Sequence, residues 1–138
     1  MMPMQFVKDP NDWLRKLSPE EWIRAALSEM KQAEAALAKR NVRGAFAGCK
    51  RAAGMALNGA LIVAPREGWG RTYVEHVEAL ANDASAPAAV REACRAVMHA
   101  QPASGVVALR TPASDEKVME AARDVIAHAY AIVVKHEA

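Results

Sequence analysis

Apolar and small residues run without alternation from Gly44 to Val63, and this run predicts a central helix rather than a strand. At helical spacing the run divides into a stripe of larger residues and a stripe of small ones. The larger stripe holds Phe46, Cys49, Ala53, Leu57, Ala60 and Leu61, and the small one holds Ala45, Gly48, Ala52, Ala56 and Gly59. Only Lys50, Arg51 and Asn58 are clearly polar. Because a helix that buries two faces lies inside a bundle, we expect this one in its middle.

A second helix is predicted before the central one, from Pro19 to about Lys39. Ser18 is a good N-cap residue, Pro19 suits the first helical position, and Glu21 completes a capping box. The expected inner face holds Ile23, Ala26, Leu27, Met30, Ala33 and Leu37. Only the short turn 40–43 separates the two helices, so we expect them to be antiparallel neighbours.

Three further helices are expected after a loop that contains Trp69. One spans about Thr72 to Asn82, with Val74, Val77, Leu80 and Ala81 facing inward. Pro87 opens the next at its first position, and Ser114 caps the last. An irregular stretch, 101–112, separates these two. The pattern therefore predicts an all-α fold, an antiparallel up-down bundle of four to five helices.

Length and composition narrow the class of protein. A chain of 138 residues predicts one domain, here 1–138 with 1–17 as an N-terminal lead-in. The net charge of +2 is spread along the chain, which gives no strong signal for nucleic acid or membrane. Cys49 and Cys94 fall on apolar helix faces and are expected to be reduced core residues. We see no signal peptide and expect a cytoplasmic protein.

Four segments, in this order, resemble a HEPN domain of the small, single-domain prokaryotic kind. The first is AEAALAKRNVRGAFAGCKRAAGMALNGAL, which is similar to the family's opening pair with its A-E-x-x-L-x-x-G-D/N helix end. The second, WGRTYVEHVEAL, resembles a G-H-D-L-x-x-L segment. The third is PAAVREACRAV, and the fourth, LRTP, resembles an R-Y-P turn before the last helix. The resemblance covers about 22–133 and implies a HEPN-like topology and a homodimer.

The chain departs from the family at polar positions. Gly54 and Asn58 stand where members often carry Glu and Lys, Arg71 stands in place of a His, and Thr111 in place of an aromatic residue. These losses argue against an inherited polar site. The sequence therefore favours a binding module over an enzyme, and we predict no cofactor and no metal.

The HEPN resemblance points to one pair of candidate catalytic residues. RNases of this family use an Arg followed four to six residues later by a His, for which a near-neutral imidazole is suited. Arg123 and His128 match this pattern, and Arg71 with His76 matches its spacing alone. A separation of five residues places two side chains about 140° apart on a straight helix, so Arg123 and His128 would meet only across a dimer. The competing interpretation of all four is solvated helix-face residues.

Arg110, in the R-Y-P-like turn, is the best candidate for binding a nucleotide or RNA, with Arg43, Lys50 and Arg51 beside it on the central pair. The competing interpretation is an ordinary loop arginine and a solvated helix edge. No Walker, Rossmann or G-x-S-x-G motif is present, and no His/Cys/Asp/Glu set has metal spacing.

The sequence leaves three functions open. The first is a non-catalytic HEPN-like protein that binds a nucleotide or RNA or partners a nucleotidyltransferase in a toxin–antitoxin-type pair. The second is a metal-independent RNase that uses Arg123 and His128 across a dimer. The third is a structural bundle that assembles with a partner helix, which an exposed apolar stripe would favour over a basic groove.

Overall fold

A computed structural model describes residues 6–100 and 112–137 of the chain. Within these ranges the fold is all-helical, with five helices and no strand. The helices are α1 (Pro19–Ala38), α2 (Val42–Val63), α3 (Tyr73–Ala81), α4 (Ala88–Met98) and α5 (Pro112–Glu137). None of the helices in the described ranges combines the length and the apolarity that crossing a membrane requires. The prediction of an all-α fold is confirmed.

Side-chain caps explain where the first three helices begin. The Ser18 hydroxyl accepts a hydrogen bond from the backbone N–H of Glu21, whose carboxylate accepts in turn from the N–H of Ser18. Thr72 and Glu75 form the same capping box at the start of α3. Asn41 caps α2, because its Oδ1 accepts from the backbone N–H of Gly44. α2 therefore begins at Val42, inside the stretch 40–43 that the sequence predicted to be a turn.

Two predicted helix starts are wrong, by one residue at α4 and by three residues at α5. Pro87 occupies the N-cap position of α4 rather than its first helical position. α5 begins at Pro112, so Ser114 lies inside its first turn instead of capping it. Proline tolerates either position because it lacks the backbone N–H that a helix start leaves unpaired.

The central position predicted for α2 follows from its glycines. A Cβ at Gly48 would lie 2.9 Å from that of Ala33 in α1, and one at Gly59 would lie 2.8 Å from the backbone oxygen of Pro19. A Cβ at Gly54 would overlap Tyr73, the first residue of α3. α2 thus touches α1 along its length and meets α3 on another face. Even Asn58 is buried, and its Oδ1 finds no hydrogen-bond partner within the described chain.

The contacts along α2 fix the directions of its neighbours. Gly48 meets Ala33 and Gly59 meets Pro19, so α1 and α2 are antiparallel as predicted. On the α5 side, Cys49 Sγ lies 3.5 Å from Met119 Sδ, and the C-terminal part of α2 reaches His128. α5 therefore runs parallel to α2 and antiparallel to α1.

Two side chains predicted to face the core are exposed. Leu27 in α1 is 49% exposed, and Val74 in α3 is 51% exposed. Periodicity placed both on an apolar stripe, but burial also needs a neighbouring element over that part of the helix. Ile23 and Met30, on the same stripe of α1, are buried in the described structure, whereas Leu27 and Val74 lie at the surface.

The lead-in is attached to the helices through tryptophans. The indole Nε1–H of Trp22 donates to the backbone oxygen of Leu14 at 2.7 Å. Lys8 forms an ion pair of 2.9 Å with Glu21. Trp13 lies against the ring of His76, with 5.8 Å between ring centroids. Residues 6–17 therefore pack on α1 and α3, although they contain no helix.

We expect Gly54→Ala to lower the free energy of unfolding by about 2–3 kcal/mol or more. The new methyl group would overlap both the Cα and the Cβ of Tyr73, and overpacking of this kind outweighs the roughly 1 kcal/mol that alanine gains in helix propensity. Urea denaturation followed by circular dichroism measures the change. Gly48→Ala is the matched comparison, since its methyl meets a single side-chain carbon at 2.9 Å. A Gly54 variant as stable as the Gly48 variant would contradict the close packing.

Candidate functional site

Two concave surfaces lie on opposite sides of α5. We call the first the His128 pocket; it is formed by the C-terminal part of α2, the loop 64–72, α3, the segment 82–87 and α5. We call the second the α1/α5 groove, which lies between those two helices. Between them, the two surfaces hold both residues of the predicted catalytic pair.

The His128 pocket has a volume of about 170 Å³. Its deeper wall is apolar and its mouth is polar. The apolar wall includes Leu57, Ala60, Leu61, Leu80 and Ile132, and the mouth includes Arg66, Trp69, Asp83, Ser85 and His128. A concave apolar surface with a few polar groups is the usual form of a small-molecule site.

Asp83 organises the polar mouth of this pocket. Its Oδ1 accepts hydrogen bonds from the hydroxyl and the backbone N–H of Ser85, at 2.6 and 3.0 Å. Its Oδ2 accepts from Arg66 at 2.8 Å. These bonds, that of the Ser85 hydroxyl foremost, lower the pKa of Asp83. The guanidinium of Arg66 also lies 5.0 Å from the ring centroid of Trp69. Asp83 and Arg66 thus neutralise each other.

His128 is the titratable group that faces the pocket from α5, and it is half-buried. Burial lowers the pKa of its imidazole, and the negative charge of Asp83 opposes that shift in part. The ring is therefore neutral at pH 7, with one nitrogen that can donate and one that can accept a hydrogen bond.

The α1/α5 groove is larger, at about 780 Å³, and its floor is apolar. Ile23, Leu27, Met30, Ile126, Ala127, Tyr130 and Val133 line it, and Glu20, Arg24, Lys31, Glu34 and Arg123 form its rim. Arg123 bonds to Glu116 at 3.1 Å and lies 3.9 Å from Glu34. Its charge is shared by two carboxylates, which leaves it poorly suited to hold a phosphate.

The structure does not bring Arg123 and His128 together within one chain. Arg123 lines the α1/α5 groove, whereas His128 lines the pocket on the other side of α5. This separation is what a spacing of five residues gives on a straight helix.

The second Arg/His match is brought together, but around a tryptophan. The guanidinium of Arg71 lies 5.9 Å from the ring centroid of Trp13, against which His76 also packs. His76 itself is fully buried, so its interpretation as a solvated surface residue is wrong. The N-terminal lead-in covers it. The pattern of apolar and polar residues along a helix does not reveal which side chains a segment distant in sequence will bury.

His76 is neutral for a structural reason. Its Nε2–H donates to the backbone oxygen of Gly70 at 3.0 Å. Its Nδ1 makes no well-formed hydrogen bond within the described chain. Burial has the largest effect on the pKa of His76 and lowers it, and the nearby backbone of Gly54 opposes that shift in part.

The predicted phosphate-binding residues are not gathered into a described site. Arg110 lies outside the described residues. Arg43 is exposed and Lys50 is half-buried, two turns or about 10 Å apart along α2. The Nε–H of Arg51 donates to Glu29 at 2.7 Å. The role of these four residues therefore stays a prediction.

Both cysteines are buried and free, as the sequence predicted. Burial raises the pKa of Cys49 to about 11 and that of Cys94 to about 12. Neither thiol ionises near neutral pH, so neither is a nucleophile. Within the described ranges, no three His, Cys, Asp or Glu side chains are grouped so that they could hold a metal ion.

Sequence reasoning missed most of the His128 pocket. Asp83 and Ser85 belong to the segment between α3 and α4, and Arg66 and Trp69 to the loop after α2. The Asp-x-Ser spacing is a local signal for a turn in which a carboxylate accepts from the residue two positions on. Nothing local links that turn to Arg66, which meets it through the tertiary fold.

No known protein family, curated protein or solved structure matches this chain significantly. Its class is therefore defined by its own fold and sites. The described residues form an all-helical protein with a small pocket and a larger apolar groove on opposite sides of its last helix.

We expect the free energy of unfolding to decrease as the pH falls below about 6.5. The pKa of His76 is lower in the folded chain than in the unfolded one, so the unfolded chain binds the proton first. The slope contributed by one histidine is at most about 1.4 kcal/mol per pH unit. Urea denaturation at pH 7.5 and 5.5 measures it, above the range in which the carboxylates titrate.

His76→Gln removes the contribution of His76 and should reduce the pH dependence of stability, leaving the part that comes from His128, whose pKa burial also lowers. His99→Gln is the matched control, because His99 is exposed. If the His76 variant lost as much stability on acidification as the wild type, burial of the neutral imidazole would not be the cause.

Proposed function

We propose that this chain is a HEPN-like, non-catalytic helical protein that acts by association, and that its α1/α5 groove binds a second copy of the chain. The observation that carries the proposal is the exposure of Leu27 and Tyr130. These residues belong to different helices, line one apolar groove, and are 49% and 53% exposed. Contiguous apolar surface of this kind is typical of an interaction site.

An up-down arrangement of the long helices supports the HEPN-like topology. α1 is antiparallel to α2, and α5 is parallel to α2. Ala86, before α4, lies in the His128 pocket beside the end of α2, whereas Ala100, after α4, packs with Val42 and Phe46 at its start. α4 is therefore antiparallel to α2. In this proposal α1, α2, α4 and α5 alternate in direction, and the short α3 is an addition to the four.

The exposed apolar residues of α5 continue beyond the groove. Tyr130 and Val134 are one turn apart, and Val134 is 41% exposed. Ala127 lies one turn before Tyr130 on the same side. A helix with a continuous apolar stripe at the surface gains stability when a second apolar surface covers it.

Charge complementarity favours one orientation of the second copy over the other. If the two-fold axis is parallel to the helices, α1 lies over α5 of the partner subunit. Because Glu34 and Arg123 are neighbours within one chain, Glu34 then faces Arg123 of the partner subunit. By the same register, Leu27 faces the ring of Tyr130 of the partner subunit, so that the two exposed apolar side chains cover each other.

The alternative axis, perpendicular to the helices, is disfavoured by the same charges. It would place α1 over α1 of the partner subunit, antiparallel and centred near Leu27. Glu20 would then face Glu34, and Arg24 would face Lys31. Like charges at a desolvated interface cost free energy, so the rim selects the first orientation.

We expect Leu27→Glu to weaken the homodimer at least about 100-fold. In a symmetric interface each substitution acts twice, and each lost leucine contributes about 1.5–3 kcal/mol before the burial of a charge is considered. Sedimentation equilibrium over a range of protein concentrations measures the dissociation constant.

Val74→Glu is the matched control for this experiment. Val74 is 51% exposed, but it lies on α3, away from the groove. The proposal requires that the control remains dimeric while the Leu27 variant is monomeric. A wild-type chain that is monomeric at about 100 µM, or a Leu27 variant that dimerises as the control does, would refute it.

The RNase alternative draws its support from one feature, the neutral imidazole of His128 at a pocket. It requires Arg123 of a partner subunit to approach that imidazole. A dimer formed through the α1/α5 groove places Arg123 at the interface and leaves His128 on the other side of α5. This geometry supports association over catalysis.

We therefore expect that His128→Ala, like the wild-type chain, does not cleave RNA. Incubation of a labelled RNA with the wild-type and variant chains at equal concentration, with a metal chelator present, measures metal-independent cleavage. The expected result is no cleavage by either. Cleavage by the wild type that the His128 and Arg123 variants lose, and that His99→Ala retains, would establish the RNase instead.

The HEPN resemblance also implies other partners: a nucleotide, an RNA, or the nucleotidyltransferase of a toxin–antitoxin-type pair. The described contacts favour none of these over the second copy. Arg51 is paired with Glu29, and Arg43 and Lys50 are two turns apart. Isothermal titration calorimetry with nucleotides and RNA tests these partners separately from the dimer.

A further inference from the structure

The polar mouth of the His128 pocket contains one group whose hydrogen-bonding atoms the described chain does not use. The carboxylate of Asp83 accepts three hydrogen bonds from Ser85 and Arg66, and the guanidinium of Arg66 is committed to it and to Trp69. His128 differs from them. Within the described chain its half-buried ring makes no hydrogen bond, and Asp83 acts on it only through its charge. A partly desolvated imidazole with unused hydrogen-bonding atoms at a cavity is a group prepared for a ligand.

The size of the pocket selects small ligands. Its volume is about 170 Å³. A protein cavity of about 150 Å³ lined by apolar side chains holds a molecule the size of benzene. Leu57, Leu61, Leu80 and Ile132 supply a comparable apolar wall. One six-membered ring with a single substituent therefore fills the pocket, and a nucleotide is far too large for it.

The charge of the pocket selects neutral ligands. Asp83 and Arg66 form a closed ion pair, and burial keeps the imidazole of His128 uncharged at pH 7. A carboxylate or an ammonium group would lose its hydration without gaining an unpaired counter-ion. A hydroxyl group, in contrast, can donate to one imidazole nitrogen or accept from the other.

We propose that the His128 pocket binds a small neutral ring compound with one hydroxyl group, of the phenol or cyclohexanol type. The ring lies against Leu57, Leu80 and Ile132, and the hydroxyl group forms a hydrogen bond with His128. The site is independent of the α1/α5 groove, since it lies on the opposite side of α5. It therefore does not rest on the proposed dimer.

Titration of the ¹⁵N-labelled full chain with phenol, followed by two-dimensional NMR, tests the proposal. We expect saturable shifts at Leu57, Leu80, His128 and Ile132, with a dissociation constant on the order of 1 mM for a ligand of this size. Benzene, which lacks the hydroxyl group, should bind about 5-fold more weakly. Benzoate and benzylammonium should produce no saturable shifts at these residues.

Three variants test whether the ligand binds in the pocket and through His128. Ala64→Leu narrows the mouth from the end of α2 and should abolish the shifts while the spectrum remains that of a folded chain. His128→Leu keeps the apolar wall and should reduce the affinity for phenol to that for benzene. His99→Leu, at an exposed histidine, should change neither.

Three outcomes would overturn the proposal. The first is a wild type without saturable shifts in phenol or cyclohexanol up to about 20 mM, well above the expected dissociation constant. The second is a set of shifts centred on Leu27 and Tyr130, which would assign the binding to the groove instead. The third is equal affinity for phenol and benzene with no effect of His128→Leu, which would remove the hydrogen bond and with it the ligand class.

Discussion

The close approach of three helices to α2 is the constraint on which the structure depends. Glycine at position 54 lets the start of α3 lie directly on α2, because even one methyl group there would overlap Tyr73. The chain must therefore return from the end of α2, at Val63, to the level of Gly54 through the loop 64–72. That return carries Arg66 and Trp69 to the side of α2 that faces α5. The pocket is thus a consequence of small residues in the central helix.

The same packing divides the polar groups of α5 between two environments. On one side of α5, the groove between α1 and α5 remains open and its floor is apolar. On the other side α2 and the turn after α3 enclose His128 and lower its pKa. A five-residue spacing along one helix is enough to place Arg123 among carboxylates and His128 in a neutral pocket. Two residues that act as a catalytic pair must face the same cavity, and these two residues do not do so within one chain.

Much of the helical fold was predictable because its signals are local. The capping box at Ser18, the small-residue stripe of α2 and the positions of four further helices follow from spacing alone. Apart from the helix starts at Pro87 and Ser114, the errors concern what covers a helix. Periodicity gives the angle of Leu27 or Val74 around its axis, but not whether a neighbour reaches that level. His76 is the converse case, since Trp13 in the lead-in buries it. The pocket was missed because Arg66 and Asp83 meet only in the folded chain.

The positions of the two concave surfaces also bear on whether they can influence each other. A dimer through the α1/α5 groove leaves the His128 pocket facing solvent, so neither event blocks the other. Coupling between them would require α5 to occupy two arrangements that the two events favour differently. The described packing opposes this, because Cys49 of α2 and Met119 of α5 are in contact and buried, and Val125 of α5 is buried as well. Close-packed interiors resist such sliding. The described packing is therefore that of a close-packed bundle with two separate surfaces, the groove that we propose for a second copy and the pocket that we propose for a small neutral molecule.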